Sequence, residues 1–184
     1  MYFVKIYRTI SKGDDLKMMK SLKLEHKNRK LLLKTLKELK ENGQIEEEKH
    51  FFQHGMTTVF DHSVQVASTS LVFSQIIPVH VNKHALVRGA LLHDYFLYDW
   101  HEKDKSHRLH GFYHAGTACH NANRDYELDD IEINIIRRHM FPLNPVPPMC
   151  KEAWIVCMAD KYCAARETVH GLFHKKQRKG KKEC

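Results

Sequence analysis

Apolar positions recur at helical spacing along almost the whole chain. Leu31, Leu32, Leu36 and Leu39 form a stripe that stops at Asn42-Gly43, with lysines filling most of the remaining positions. That pattern predicts an amphipathic helix opening at Leu16 behind Asp14 or Asp15 and packing by its leucine face. Gly55 marks a second break. From Thr57 or Thr58 a helix carrying Val59, His62, Val66, Ser70 and Phe73 is expected to run to about Ile77, where Pro78 ends it. Another opens at Asn82 and passes through Leu86, Gly89, Ala90 and Leu92 to His93-Asp94. After a polar loop from His101 to Leu109, helices are predicted over Phe112–Arg124 and Leu128–Met140, the second with Asp129 and Asp130 in its first turn. Phe141–Pro148 holds four prolines and must be irregular. Lys151 to about Phe173 forms the last helix. There is no internal repeat and no alternating strand pattern, so the expected fold class is all-α.

Composition agrees with a folded domain. The 184 residues are 42% hydrophobic and 28% charged, which supplies both a core and a solvated surface and excludes disorder as a global description. No apolar run approaches the roughly 18 residues of a membrane span. Lys5 and Arg8 interrupt the first ten residues, and no apolar run is followed by a small-residue cleavage site, so no secretory signal is expected. Five cysteines without CxxC spacing fit a reducing compartment, and the expected location is the cytoplasm.

The net charge of +8 suggests nucleic-acid binding until it is divided along the chain. Residues 1–53 carry 13 basic and 8 acidic groups, a net +5. Residues 54–174 carry 11 and 13, a net −2, and residues 175–184 carry 6 and 1, again +5. The basic excess is therefore peripheral. The division suggests an N-terminal helical extension (1–53), a histidine-rich domain (54–174) and a disordered, solvated basic tail (175–184). A nucleic-acid-binding protein using its basic ends is the rival from another class. The acidic middle and the lack of an aromatic-interleaved basic surface argue against it.

The candidate chemistry lies in 15 histidines and a few carboxylates in apolar surroundings. Asp160 ends the run Ala153–Ala159, where a carboxylate is costly unless a positive partner neutralises it; Lys161 or an arginine could be that partner. His93-Asp94 sets two metal-competent side chains side by side after Ala90-Leu91-Leu92. Consecutive helical residues diverge by about 100°, so both can serve one ion only where the helix ends or unwinds. His62 lies among Val59, Val66 and Ala67 and faces inward; alone it reads as a hydrogen-bonded core histidine. His114 begins a predicted helix and His139 ends one, and each alone reads as a capping or surface group. The case for a site is joint, since several helices bring His and Asp into one small core. Imidazole and carboxylate without thiolate suit Mn, Fe, Co, Ni or Zn. Cys157 and Cys163 are read as packing groups. Arg137, Arg138 and Lys161, adjacent to His139 and Asp160, are candidates for phosphate contact. Asp99, Trp100 and His101 are candidates for the entrance.

In order and context these residues resemble the HD superfamily of metal-dependent phosphohydrolases. Asp61-His62-Ser63-Val64-Gln65-Val66-Ala67 is similar to the family's first-histidine helix. Gly89-Ala90-Leu91-Leu92-His93-Asp94 is similar to the helix delivering the doublet, and Ala159-Asp160-Lys161 to the last element. The resemblance covers about residues 54–170 and implies a compact helical core with the N-terminal helix added to it. His114 and His139 occupy the intervals where the superfamily's two-metal branch carries two further histidines. His114 is followed by Ala115 where that branch usually has proline, and His110 competes for its role. Met140-Phe141-Pro142-Leu143 stands where cyclic-dinucleotide phosphodiesterases carry Gly-Tyr-Pro, which argues against that substrate. The resemblance implies one or two divalent ions, with His62, His93, Asp94 and Asp160 around one and His114, His139 and a bridging Asp94 around the other. The implied reaction is hydrolysis of a small phosphate ester, for example a nucleotide, by metal-activated water. A catalytically silent regulatory domain with intact ligands is the rival within the same fold.

Overall fold

The computed structural model describes residues 24–54, 57–98 and 110–180. Six α-helices stand among them: α1 (His26–Asn42), α2 (Val59–Ile76), α3 (Lys83–Leu92), α4 (His110–Tyr126), α5 (Asp130–Arg138) and α6 (Lys151–Gly180). A 3-10 helix, Ile45–His50, follows α1, and a short antiparallel hairpin pairs β1 (Phe52–His54) with β2 (Thr57–Thr58). The fold is all-α with this minor hairpin.

Sequence chemistry sets most helix starts. The Thr58 hydroxyl accepts from the Asp61 amide at the start of α2, and the Asn82 side chain accepts from Ala85 N at the start of α3. Asp129 and Glu132 form a reciprocal capping box on α5. Helix α2 packs against α3 and α6, and α5 packs against the same two, closing a four-helix ring. Helix α4 leans on α5, α1 lies over α3 and α2, and the 3-10 helix rests on α2. Leu71, Leu86, Leu91, Leu92, Ile135, Ile136, Val156 and Ala159 fill the ring, all buried.

Four expectations need correction. The leucine stripe does pack, with Leu32, Leu36 and Leu39 buried, but its helix begins at His26, because Glu25, with ψ 145°, is not helical. The expected start at Leu16 and the caps Asp14 and Asp15 lie outside the described residues. The hairpin was absent from the sequence reading because strands of three and two residues are too short to show alternation. Helix α4 starts at His110, so His114 lies one turn in rather than at the start. Finally, α6 passes Phe173 and continues to Gly180, so backbone expected to be disordered is helical over 175–180. Lysine, arginine and glutamine are good helix formers, and nothing before Gly180 stops the helix. Among the described residues no helix is long and apolar enough to cross a membrane.

Candidate metal centre

Each ring helix delivers part of a polar cluster to the middle of the core, and α4 adds one more group. Helix α3 ends at Leu92, and His93, its C-cap, and Asp94 follow in a turn. His62 lies in the first turn of α2, His139 is the C-cap of α5, Asp160 is on α6 and His114 on α4. All six are buried, the four histidines and Asp94 to within 3% of complete burial.

Their atoms converge in two groups that share Asp94. His62, His93 and Asp94 form one, and Asp94, His114 and His139 the other, with the ligand-competent atoms of each group within 4.8 Å of one another. Asp94 Oδ1 lies 3.3 Å from His114 Nε2 and 3.4 Å from His139 Nε2, while Oδ2 lies 3.4 Å from His93 Nε2. Asp160 Oδ1 completes the first group, 3.1 Å from His62 Nε2 and 3.8 Å from His93 Nε2. His114 meets Asp94 and His139, while the side chain of His110, the alternative, lies outside the described residues.

The hydrogen bonds behind these rings decide which nitrogen faces the centre. His93 Nδ1 is 2.9 Å from Ala90 O and His139 Nδ1 is 2.7 Å from Ile136 O. A carbonyl oxygen only accepts, so both Nδ1 atoms carry a proton and both Nε2 atoms point inward, where a neutral ring offers a lone pair to an ion. His62 Nδ1 faces both carboxylate oxygens of Glu167 at 3.1 Å, which holds its Nε2 toward Asp160. His139 Nε2 nevertheless stands 2.9 Å from His114 Nε2. His93 Nε2 and Asp94 Oδ1 are buried without a hydrogen-bond partner. Inward lone pairs and anionic oxygens with too few protons among them fit a divalent cation, and the donor set fits a borderline transition metal.

Electrostatics point the same way. Burial works to raise the Asp94 carboxyl, but His93, His114 and His139 outweigh it and hold the group well below the usual carboxylate range. Asp160 is likewise held down against burial by His62 and His93. His62 is disfavoured as a cation by burial, yet its hydrogen bonds to Asp160 and Glu167 raise it well above an ordinary histidine. Burial pushes His139 down despite Asp94.

The three basic candidates are placed differently. Lys161 Nζ donates to the His139 carbonyl at 2.7 Å and lies 3.5 Å from Asp160 Oδ2, at the rim of the cluster. Arg137 is exposed and lies near the Cys119 thiol of α4, which burial pushes up and Arg137 only partly brings back down. Arg138 is half-buried beside it. Cys157 donates to Phe141 O and Cys163 lies 3.4 Å from Thr69 Oγ1, so both are engaged in packing contacts. Phe96 meets His114 edge-on, with 6.0 Å between ring centroids, and Tyr98 lies against Phe96. Asp99, Trp100 and His101 lie outside the described residues.

Three polar residues at the centre were not read from the sequence. Glu167 lies seven residues after Asp160, two turns along the same helix face, and that spacing could have flagged it. Gln53 on β1 donates to Asp94 Oδ2 at 2.5 Å. Glu48 of the 3-10 helix is completely buried, and burial, with Asp94 adding to it and His62 opposing, pushes its carboxyl well above the usual range. Neither belongs to a periodic segment that would have marked it.

A ring of helices around a buried cluster of four histidines and two aspartates defines a helical metal-binding domain. The family model for the HD domain matches residues 59–165, more than half of the chain, and the protein belongs to that family. No curated protein and no solved structure matches the sequence significantly.

Proposed function

We propose that this protein hydrolyses a small phosphate ester, a nucleotide being the foremost class, at the His/Asp centre. The HD domain is a superfamily of metal-dependent phosphohydrolases, and one observation carries the reading furthest: Asp94 is common to both ligand groups and turns one oxygen toward each. A carboxylate so placed suits two ions side by side. His62, His93, Asp94 and Asp160 would hold the first, and His114, His139 and Asp94 the second. When bound, Mn, Fe, Co, Ni or Zn supplies a Lewis acid for phosphoryl oxygens and lowers the pKa of water toward neutrality.

The chain's own residues do the positioning. Ala90 O, Ile136 O and Glu167 pin three imidazoles with Nε2 forward, so little reorganisation is left for the reaction. Gln53 fixes the rotamer of Asp94 by donating to Oδ2. Lys161, at the rim, is the cation we assign to a substrate phosphate oxygen, with Arg137 and Arg138 as further candidates from the same edge of the fold. Phe96 and Tyr98 shield the His114 side from water.

The test is phosphate release from a panel of nucleotides and other phosphate esters by metal-loaded protein. Turnover by the parent and its loss in Asp94→Ala, with the helical fold intact, is the expected result. A panel that stays silent with metal bound would instead assign the chain to the regulatory reading.

A further inference from the structure

The 3-10 helix carries a carboxyl group that the fold has no use for. Glu48 is 0% exposed, and neither of its side-chain oxygens has a hydrogen-bond partner. An ionised carboxylate in that position is expensive, and a neutral one still leaves a buried O–H and a carbonyl unsatisfied. Its backbone is committed elsewhere, since Glu48 O accepts from Phe51 N as the 3-10 helix closes. Methionine or leucine would fill the same volume without the penalty.

Its surroundings show what the group faces. The 3-10 helix rests on α2, the helix that carries His62. Five residues on, Gln53 reaches Asp94 Oδ2, so this segment lies directly against the shared carboxylate. Asp94 and His62 are also the charged groups that act on Glu48. Other buried carboxylates of the core are answered by protein partners: Glu132 by Arg88 at 3.1 Å, Glu152 by the Asn82 amide at 2.8 Å, Glu167 by His62. Glu48 Oε1 and Oε2 have no such answer, and they are buried on a 3-10 helix packed against the helix that carries His62.

We infer that Glu48 is a further carboxylate ligand of the metal centre, contributed from outside the matched 59–165 segment to the ion held by His62, His93 and Asp94. The inference rests on the reading of the His/Asp cluster as a metal site. It makes the segment before α2 part of the centre. A bound cation then supplies the positive partner that the burial of Glu48 requires.

The experiment is Mn2+ binding to the full-length chain, by equilibrium dialysis with elemental analysis and by calorimetry, for the parent, Glu48→Gln, Glu48→Asp and Asp94→Ala. Gln keeps the size and removes the charge, so a group that only fills space would tolerate it. We expect Glu48→Gln to bind Mn2+ at least tenfold more weakly, Glu48→Asp to lose less, and the metal-free variants to unfold no earlier than the parent. Parent-like affinity and stoichiometry in Glu48→Gln, with binding lost in Asp94→Ala, would overturn the role of Glu48 and leave the metal site standing. A parent that binds no Mn2+ would overturn both.

Discussion

His62 is gripped from two sides, by Glu167 at Nδ1 and Asp160 at Nε2, and metal must displace the proton that this grip favours. In the metal-free protein its pKa is raised relative to the unfolded chain. The linked stability is therefore fully present below the ordinary histidine value of about 6.5 and is lost as pH rises through the higher folded value. Glu167→Gln removes one source of that shift. Thermal unfolding of the metal-free proteins should show the largest deficit for Glu167→Gln near pH 6 and a shrinking one at alkaline pH; a deficit that grows with pH would contradict the assignment. With metal present the same variant should bind about 10–100-fold more weakly, the usual cost of losing a carboxylate behind a ligating histidine. The second ion has its own signature. In the proposed two-ion centre His114 and His139 would be the second ion's only nitrogen ligands, so the parent should hold about two equivalents and His114→Ala or His139→Ala about one, while His93→Ala should disturb both through Asp94. Elemental analysis of dialysed protein decides it, and one equivalent in the parent, His114→Ala and His139→Ala alike would leave His114 and His139 as substrate contacts or as supports behind the ligands.

Elements position the site through a few close approaches. Gly89 lets α3 press against α5: a Cβ there would stand 2.6 Å from Ile135 Cδ1 and 3.0 Å from Ile135 Cβ. Gly89→Ala must push the two helices apart, costing about 1–3 kcal/mol as overpacking does, and the displacement falls between His93-Asp94 and His139. A lowered Tm together with weakened metal binding is the expected pair of changes; loss of stability alone would mean that the cluster adapts. At the other side, Tyr126 Oη accepts from Ile45 N at 3.0 Å and donates to Leu39 O at 3.1 Å, while Tyr95 Oη accepts from Gln44 N and donates to Asp125. These two phenols anchor the turn that leads into the 3-10 helix. Tyr126→Phe should cost about 1–3 kcal/mol in denaturant unfolding by stranding a buried amide and a carbonyl. Here the sequence was only partly legible. Thr58, Asn82 and Asp129 announce their helices because caps act locally, and His93-Asp94 announced itself by ending an apolar helix. Glu48 and Gln53 were invisible because a 3-10 turn and a three-residue strand have no periodicity, and only tertiary packing brings them to Asp94.

At the scale of the whole molecule, charge and chemistry are separated. The six proposed His and Asp ligands sit in the segment of net −2, and the +5 of residues 175–184 contributes no proposed ligand. Deleting that segment should leave turnover of a small phosphate ester within about twofold of the parent, since surface changes away from a site are usually small. A large loss in the kinetic assay would tie the basic end to the site. The placement of ligands also has a consequence for how long the chain survives. His62 and Asp160 are 98 residues apart, and the centre ties together five helices that otherwise meet only through apolar contacts and a few polar bonds. A cation bound only by the folded form adds stability by mass action, about 2.7 kcal/mol when it is present at a hundred times its Kd. The folded fraction is thereby coupled to free metal. With the proposed ion bound only by the folded form, a metal-starved chain would open more often and be cut first by proteases that act on opened chains, so supply of the ion would set how much of this protein persists.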